Sequence, residues 1–348
     1  MNILVTGAAG FVGSHIAERL ERAGYSVVPV DAFVPNYDRA IKVANVREMA
    51  GTAPPLAYVE ETDLRERDAV TRLLREVSPG LVVHCAALAG VRPSVEDPAR
   101  YTEHNINGTV NLLEAMREVG CDKLVFASSS SVYGADATVP FTEEQAAVRP
   151  VSPYAATKRA CELLLHTYGG LYGLDYLSLR FFTIYGPRQR PDLAIHKFTS
   201  AVMRGQTIQM NGDGRSSRDY THIGDIVGGV AAAVECLLHE DGVRETLNLG
   251  SSSPILLRDL IATIEEACDR EAVIERRADQ PGDVPRTFAD VTKAHRLLGY
   301  EVSHDLRDGI HEFVGWWLQR FGDTDGRRDL GHRAPEAGEH AREMRVGA

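Results

Sequence analysis

Hydrophobic and polar residues follow two different periods along the first half of the chain. Short apolar runs such as Leu81-Val82-Val83 are typical of strands buried on both faces. Longer stretches between them repeat their apolar residues at the spacing of an amphipathic helix. The pattern predicts strands at residues 2–6, 26–31, 57–60, 81–85, 123–128 and 175–181, and helices at residues 12–23, 66–77, 101–119 and 153–172. This alternation favours an α/β fold in which a doubly wound parallel sheet carries helices on both faces.

After about residue 182 the pattern is less regular. Turn-rich segments such as Asn211-Gly212-Asp213-Gly214 separate shorter predicted helices at residues 195–204, 226–238, 257–267 and 306–320. The last residues are charged and nearly free of large apolar side chains. We therefore expect a sheet domain at residues 1–181, to which later segments return, a smaller α/β region at residues 182–321, and a mobile charged tail at residues 322–348.

Composition and charge exclude several classes of protein. Hydrophobic residues make up 44% and charged residues 25% of the 348 residues, as in ordinary soluble enzymes. A formal net charge of -11 argues against a nucleic-acid or anionic-membrane surface. Five cysteines without a CxxC pair predict reduced structural thiols, with no metal site. Because the sequence has no signal peptide and no membrane-spanning apolar run, it predicts a cytoplasmic protein.

The segment TGAAGFVGSH, residues 6–15, joins the first predicted strand to the first predicted helix. Its glycines permit a tight turn, a close backbone approach to a pyrophosphate and close contact between helix and strand. The start of the helix adds amide donors and a positive dipole end. The spacing GxxGxxG at this position predicts a dinucleotide-binding loop. Its predicted contacts are Gly7, Gly10, Phe11, Val12 and Gly13.

Asp31 ends the second predicted strand, 18 residues after Gly13. A carboxylate there accepts hydrogen bonds from the adenosine ribose hydroxyls and repels a 2′-phosphate, and no arginine adjoins it in the sequence. The sequence therefore favours NAD over NADP, with a capping role at the strand end as the alternative. Asp63 and Leu64, which follow the third strand, either border the adenine or form an ordinary turn.

Tyr154 and Lys158, in YAATKRA, lie four residues apart on a predicted helix and therefore share one face. A phenol is a weak base at neutral pH, but a nearby ammonium group and a cationic nicotinamide ring both favour its phenolate form. The spacing alone is common by chance, so at this point the pair is only a candidate for a general base and its electrostatic partner.

Together these motifs resemble the extended short-chain dehydrogenase/reductases. Further segments occur in the order found in that family, namely HCAALAGV at residues 84–91, NINGTVNLLEA at 105–115, SSSSVYG at 128–134 and RDYTHIGDI at 218–226. The resemblance covers roughly residues 1–320. It implies a Rossmann domain, a nucleotide-sugar-binding C-terminal region, tightly bound NAD and oxidation of the sugar at C4. It also implies cofactor contacts at Ala86, Ala87, Asn105, Ser128, Tyr154 and Lys158.

The same resemblance implies the catalytic roles. In that family a serine or threonine three residues before VYG assists the tyrosine, and this position is Ser129. Tyr154 then acts as the base and Lys158 as its electrostatic partner. Ser129 ends a central strand, at the edge where open α/β sheets bind ligands, so its hydroxyl can donate to a developing 4-keto oxygen.

The two residues before VYG distinguish members of this family. Nucleotide-sugar 4,6-dehydratases carry an Asp-Glu pair there, and UDP-glucuronate decarboxylases carry glutamate at the second position. This sequence has Ser130 and Ser131 instead. Without an acid–base pair for elimination, the resemblance implies a cycle in which hydride leaves C4 and returns to the other face. That reaction is 4-epimerisation.

The substrate is inferred from segments at residues 31–42, 86–94, 180–194 and 280–290, which resemble UDP-glucuronate 4-epimerases. In those enzymes the residue matching Thr183 and the serine row face the sugar carboxylate, which hydroxyls can hold by hydrogen bonds. Arginines match diphosphate or uronate oxygens. The implied substrate contacts are Arg92, Ser129, Ser130, Thr183, Arg190, Arg218 and Asp283.

Two other functions remain as alternatives. Residues 211–223, NGDGRSSRDYTHI, resemble the broader UDP-hexose epimerases as much as the uronate group, so UDP-glucose and UDP-N-acetylglucosamine stay open as substrates. A non-catalytic NAD-sensing protein is the distant alternative. The intact set of Ser129, Tyr154 and Lys158 speaks against it.

A homodimer is also expected from the resemblance. The predicted helices at residues 101–119 and 153–172 pair across a two-fold axis in that family to form a four-helix bundle. Their apolar residues Leu112, Leu113, Leu163 and Leu164 are consistent with such an interface but equally fit packing within one chain.

Overall fold

The computed structural model describes residues 1–50, 58–135, 137–278, 284 and 286–322. The predicted contact residue Asp283, the tail from residue 323 onward and the start of the predicted strand at residue 57 lie outside the described residues.

Within those described ranges, seven parallel strands form the central sheet, in the order β10-β6-β5-β4-β1-β2-β3. These strands are β1 (Asn2–Thr6), β2 (Ser26–Asp31), β3 (Glu60–Glu61), β4 (Leu81–His84), β5 (Lys123–Ser129), β6 (Asp175–Phe181) and β10 (Arg244–Leu249). The order reverses between β1 and β4, and ligands bind at such a switch point in open α/β sheets. The predicted doubly wound α/β fold is confirmed.

Helices cover both faces of this sheet. The helices that the structure describes, on this sheet and beyond it, are α1 (Phe11–Arg22), α2 (Arg39–Ala50), α3 (Arg67–Val77), α4 (Val91–Glu96), α5 (Pro98–Tyr101), α6 (Gly108–Val119), α7 (Pro153–Tyr172), α8 (Ala194–Met203), α9 (Ile223–His239), α10 (Leu257–Cys268), α11 (Thr292–Leu298) and α12 (Leu306–Phe321). Among them, none combines the length and apolarity needed to cross a bilayer, as far as the structure describes the chain.

The continuous apolar strands follow from this two-sided cover. Val83 of β4 packs in one core cluster with Ile16 of α1 and Val230 of α9. Its neighbour Val82 points the other way, into a cluster with Leu112 of α6 and Leu165 of α7. Since successive strand residues face opposite sides, both must be apolar when both sides are covered.

A smaller set of elements lies beyond the central sheet. Strands β7 (Thr183–Tyr185), β9 (Ser217–His222) and β11 (Pro254–Leu256) form one sheet, and β8 (Thr207–Asn211) pairs with β12 (Val273–Arg277). Helices α8, α10 and α12 pack around a separate core that contains Tyr185, Phe313 and Trp317. The sequence pattern predicts these helices but none of the five short strands.

The predicted helix at residues 101–119 is divided in the structure. It consists of α5, a π-helical segment at Thr102–Asn107, and α6. Asn105, within the π-helical segment, accepts a hydrogen bond from the Leu88 amide at 2.8 Å and donates one to the Leu88 carbonyl at 3.0 Å. The irregular turn thereby ties the loop after β4 to this helix, and π-helical turns are frequent beside functional sites.

Candidate active site

A cleft of about 1330 Å³ lies at the carboxyl ends of the central strands. It extends from the loop after β1, across β4 and β5, to residues of β7, β8 and β9. Pockets for a single small ligand usually measure roughly 300–1,000 Å³. The cleft is therefore large enough for two ligands side by side.

The glycine loop forms one end of the cleft. Gly7 has a φ of +73°, and a Cβ there would lie 2.8 Å from the Ala86 amide nitrogen. A Cβ on Gly13 would lie 2.2 Å from the Gly7 carbonyl oxygen. The turn is thus too tight for side chains at these positions, which leaves the start of α1 open toward the cleft, as a pyrophosphate requires. Among the lining residues are Gly7, Gly10, Phe11, Val12 and Gly13.

Asp31 lies at the end of β2 and lines the cleft, with 6% of its surface exposed. Its carboxylate accepts hydrogen bonds from the Ala9 amide at 3.1 Å and the Phe33 amide at 2.7 Å. Lys42 of α2 places its Nζ 3.4 Å from Asp31 Oδ1. No arginine adjoins Asp31 in the sequence. In the structure, however, a lysine from α2, a helix that the sequence did not predict, lies beside its carboxylate.

Asp63 and Leu64, which follow β3, also line the cleft. Asp63 accepts hydrogen bonds from the backbone amide and the guanidinium of Arg65, which gives it the turn geometry that was the plainer alternative. Burial acts to raise the pKa of Asp63, but the hydrogen bonds from Arg65 outweigh it and hold that pKa below its usual range. The residue thus lines the cleft and stabilises its own turn.

Ala86 and Ala87 also line the cleft, as predicted for cofactor contacts. Asn105 lies behind them. Besides its two hydrogen bonds with Leu88, its amide donates to the Thr157 hydroxyl at 3.0 Å. In this structure Asn105 therefore positions the loop that carries the two alanines, and it is not among the described lining residues.

The four serines occupy the end of β5 and the 3-10 turn Ser130–Tyr133. The Ser129 hydroxyl donates to the Ser131 hydroxyl at 3.1 Å and accepts from the Ser131 amide at 3.2 Å. All four serines, Ser128 to Ser131, line the cleft. The row is therefore an ordered group of hydroxyls at the strand end.

Tyr154 and Lys158 enter the cleft from the first turns of α7. Ser152 caps this helix by accepting a hydrogen bond from the Ala155 amide at 3.2 Å. Lys158 is 4% exposed, and its ammonium group donates to the Ala127 carbonyl at 2.7 Å, one residue before the serine row. The cap and this bond fix the start of α7 against the end of β5.

A buried ion pair lies directly beneath the serine row, and sequence reasoning missed it. Glu162 of α7 accepts two hydrogen bonds from the Arg180 guanidinium, both at 2.9 Å, and one from the Ser128 hydroxyl at 2.6 Å. The two charged side chains are 2% and 3% exposed. The pair joins α7, β5 and β6 at the level of the catalytic candidates. Sequence spacing gives no signal for it, because Arg180 lies on β6, 18 residues beyond Glu162, and meets it only through the packing of α7 on the sheet.

The opposite side of the cleft carries the predicted substrate residues Arg92, Thr183, Arg190 and Arg218. Arg190 bonds Asp192 through its Nε at 2.9 Å and the Ala89 carbonyl through its Nη2 at 3.3 Å. Burial lowers the pKa of Arg190, but its ion pair with Asp192 raises it above the ordinary value. Arg218 donates to the Ser217 carbonyl at 3.0 Å. The cleft thus presents fixed cations beside the hydroxyls.

The loop that carries Arg190 is held by a second missed group. Arg188, with a φ of +63°, bonds Glu18 of α1 at 2.9 Å and Glu48 of α2 at 2.8 Å. Arg320 of α12 also contacts Glu48. This network joins the C-terminal elements to the helices around the glycine loop.

Comparison with known proteins assigns the chain to a family. Residues 3–250 match the model of the NAD dependent epimerase/dehydratase family. The chain belongs to this family. Membership confirms the resemblance seen in the motifs. The protein is therefore an NAD-dependent enzyme, as predicted. The tight glycine turn and the carboxylate of Asp31 fit that cofactor.

Several known proteins align with this chain over most of its length. UDP-glucuronate 4-epimerase 4 of Arabidopsis thaliana is 39% identical over 337 residues, which span 92% of this chain and 76% of the relative. A UDP-glucuronic acid 4-epimerase from Bacillus cereus, solved with UDP-glucuronic acid and NAD, superposes with a TM-score of 0.85 at 33% identity, covering 92% of this chain and 100% of the other. A UDP-glucose 4-epimerase from Thermus thermophilus, solved with NAD, has a TM-score of 0.80 at 34% identity, covering 91% and 99%.

Proposed function

We propose that this protein is an NAD-dependent 4-epimerase that interconverts UDP-glucuronate and UDP-galacturonate through a 4-keto intermediate. The observation that carries the proposal is the serine row, which brings hydroxyls and no acid pair to the cleft that also holds Tyr154 and Lys158. The Arabidopsis thaliana and Bacillus cereus relatives named above support it. We assign NAD binding to residues 1–181 with β10 and nucleotide-sugar binding to residues 182–321.

The residues suggest a proton path for this reaction. NAD, when bound, takes up the C4 hydride of the sugar and later returns it. Tyr154 removes the proton of the C4 hydroxyl, while the Ser129 hydroxyl donates a hydrogen bond to the same oxygen. Lys158, held by the Ala127 carbonyl, supplies positive charge on the face of α7 that bears Tyr154. In the return step Tyr154 gives the proton back.

Inversion at C4 requires the ketone to present its other face before hydride returns. The sugar must therefore turn while the nucleotide remains anchored. Arg218 is proposed to hold the diphosphate and Arg190 the diphosphate or the uronate, since guanidinium groups match phosphate and carboxylate oxygens. Around the sugar the described lining offers small hydroxyl side chains, Ser129, Ser130 and Thr183, which leave room for rotation.

The function is tested by incubating purified protein with UDP-glucuronate, UDP-glucose and UDP-N-acetylglucosamine in parallel and resolving the C4 epimers. Conversion of UDP-glucuronate to its C4 epimer is expected. Conversion of the neutral sugars alone would overturn the uronate assignment in favour of the second candidate, which the similarity to the Thermus thermophilus enzyme favours. Turnover of none of them would point to the non-catalytic alternative.

The hydroxyls have a second proposed task. The 4-keto intermediate of a uronate is a β-keto acid, which loses CO2 when its carboxylate bond aligns with the carbonyl π-system. We assign Ser129, Ser130 and Thr183 to holding the carboxylate out of that alignment.

Replacing Thr183 with alanine is accordingly expected to increase the released UDP-pentose about tenfold relative to epimer, because one hydrogen bond to a charged group is lost. Ser130→Ala is expected to act in the same direction. Product ratios are measured by chromatography of the nucleotide sugars. Thr183→Ser, which keeps the hydroxyl, is the matched control. An unchanged ratio at a reduced rate for Thr183→Ala would contradict this task.

We further propose a homodimer that forms through α6 and α7. Leu112 and Leu113, two of the residues considered for this interface, are buried within the chain itself. Leu163 and Leu171 of α7 are instead 52% and 68% exposed. These two side chains are eight residues apart on the helix and share one side of it, so they supply apolar surface that a helix-pairing interface buries. Light scattering during gel filtration measures the oligomeric mass directly.

A cytoplasmic location is proposed on the state of the thiols. All five cysteines are free, and Cys121, Cys161 and Cys268 are buried. Unpaired thiols are usual in reducing compartments. Fractionation of cells followed by immunodetection of the protein tests the location.

A further inference from the structure

The corner of the cleft at the end of β2 contains a buried ion pair that the known cofactor does not by itself explain. Lys42 and Asp31 have side chains that are 7% and 6% exposed, and both line the cleft. Lys42 Nζ lies 3.4 Å from Asp31 Oδ1, the same oxygen that accepts a hydrogen bond from the Phe33 amide. Lys42 is a residue of α2, and its ammonium group lies 5.4 Å from the centre of the Tyr37 ring.

The other charges at this corner are engaged elsewhere. Arg39 stacks over the Phe33 ring at 4.4 Å and bonds Glu61 at 2.8 Å, with 46% of its side chain exposed. Arg65 bonds Asp63 at 2.7 Å. Of the cations that the structure describes here, Lys42 is the one in contact with the Asp31 carboxylate and facing the cleft.

This arrangement bears on the choice between two dinucleotides. In NAD-binding folds of this type, a carboxylate at the end of the second strand receives the ribose hydroxyls. A phosphate on the 2′-hydroxyl brings further negative charge against that carboxylate. Within about 4 Å, unit charges in a partly buried setting interact strongly. If the carboxylate were removed, a 2′-phosphate bound in its place would lie beside the Lys42 ammonium group. Lys42 would then be the counter-ion of that phosphate.

We propose that Lys42 is a latent receptor for a 2′-phosphate and that Asp31 both neutralises it and excludes NADP. Cofactor choice is then set by the pair: Asp31 selects NAD, and Lys42 determines how much NADP binding appears when the carboxylate is absent. The proposal concerns the dinucleotide alone and holds whichever sugar nucleotide the enzyme turns over.

The experiment compares four proteins: wild type, Asp31→Ser, Lys42→Met and Asp31→Ser/Lys42→Met. Each is incubated with an equal excess of NAD and NADP, desalted and denatured, and the released dinucleotides are separated and quantified. The measured quantity is the ratio of retained NADP to retained NAD. Serine leaves space for a phosphate, and methionine keeps the length and apolar stem of lysine. Circular dichroism spectra confirm that each variant is folded.

Asp31→Ser is expected to raise the NADP to NAD ratio by at least about tenfold, or about 1.4 kcal/mol. Adding Lys42→Met is expected to reverse most of that gain, and Lys42→Arg in its place is expected to preserve it. An equal ratio in Asp31→Ser and the double variant would overturn the role of Lys42. The role of Lys42 would also be overturned if Asp31→Ser/Lys42→Met kept the full gain in the ratio while Asp31→Ser/Lys42→Arg lost it.

Lys42→Met alone provides a test in which the buried carboxylate of Asp31 stays in place. This variant leaves Asp31 without its counter-ion, so the ratio of retained NADP to NAD is expected to fall below that of the wild type. A ratio that rises above the wild-type value would overturn the proposal, because it would mean that Lys42 disfavours the 2′-phosphate.

Discussion

Replacing Tyr154 with phenylalanine is expected to lower kcat for C4 epimerisation by about 10²–10⁴-fold, while NAD remains bound. The phenylalanine ring can keep the edge-on contact with Tyr101, whose ring centre lies 6.4 Å from that of Tyr154, so the start of α7 keeps its packing. What is lost is the phenol oxygen that accepts the C4 proton. Turnover of UDP-glucuronate and the NAD content of the purified variant are the two measurements.

Tyr168→Phe on the same helix is the matched control. It makes the same chemical change at a hydroxyl that bonds Glu114 at 2.6 Å, outside the cleft lining, and kcat is expected to stay within a few-fold of the wild type. A kcat for Tyr154→Phe within tenfold of the wild type would contradict the assignment of Tyr154 as the base. Loss of NAD together with activity would instead indicate a failure of cofactor binding.

The parts of the site that the sequence predicts are contiguous motifs. The glycine loop, the serine row and the Tyr154–Lys158 pair each lie on one element or one turn, so their geometry follows from local structure. Lys42 and Glu162 could not be assigned in this way. Lys42 meets Asp31 through the packing of α2, and Glu162 meets Arg180 through the packing of α7 on β6.

The fold divides in the same manner. Strands β1, β2 and β6 have the predicted bounds, because the residues of each are mostly buried or half-buried in the sheet. The strand Val273–Arg277 is exposed along its length, and its pairing partner Thr207–Asn211 is distant in sequence. Such strands depend on long-range backbone pairing, for which residue periodicity gives little signal. Helix α2 was missed because polar residues interrupt its apolar pattern.

The largest expected effect on stability is at Glu162. Glu162→Gln should lower the free energy of unfolding by about 3–5 kcal/mol, because it leaves the Arg180 guanidinium buried without its counter-ion. Urea denaturation followed by circular dichroism measures the change. Glu118→Gln is the matched control, since the Glu118–Arg75 pair is 44% and 63% exposed and such surface pairs contribute about 1 kcal/mol or less.

A further comparison separates the effect of the ion pair from simple loss of packing. In Glu162→Leu/Arg180→Met both charges are absent, so much of the lost stability should return. If the double variant is as unstable as Glu162→Gln, the buried charge is not the cause.

The pH dependence of the free energy of unfolding is an independent test of whether Glu162 is ionised in the folded protein. Burial acts to raise the pKa of Glu162, but the hydrogen bonds and charge of Arg180 outweigh it, and the pKa lies below its ordinary value of 4.5. The ionised carboxylate therefore contributes stability that is complete above the unfolded pKa and is lost as pH falls through the folded pKa. Because the glutamine of the Glu162→Gln variant cannot titrate, the difference in stability between wild type and variant should be constant near neutral pH and shrink in acid. A difference that grows as the pH falls would mean that Glu162 is protonated in the native pair, and the serine row would then rest on a neutral hydrogen bond.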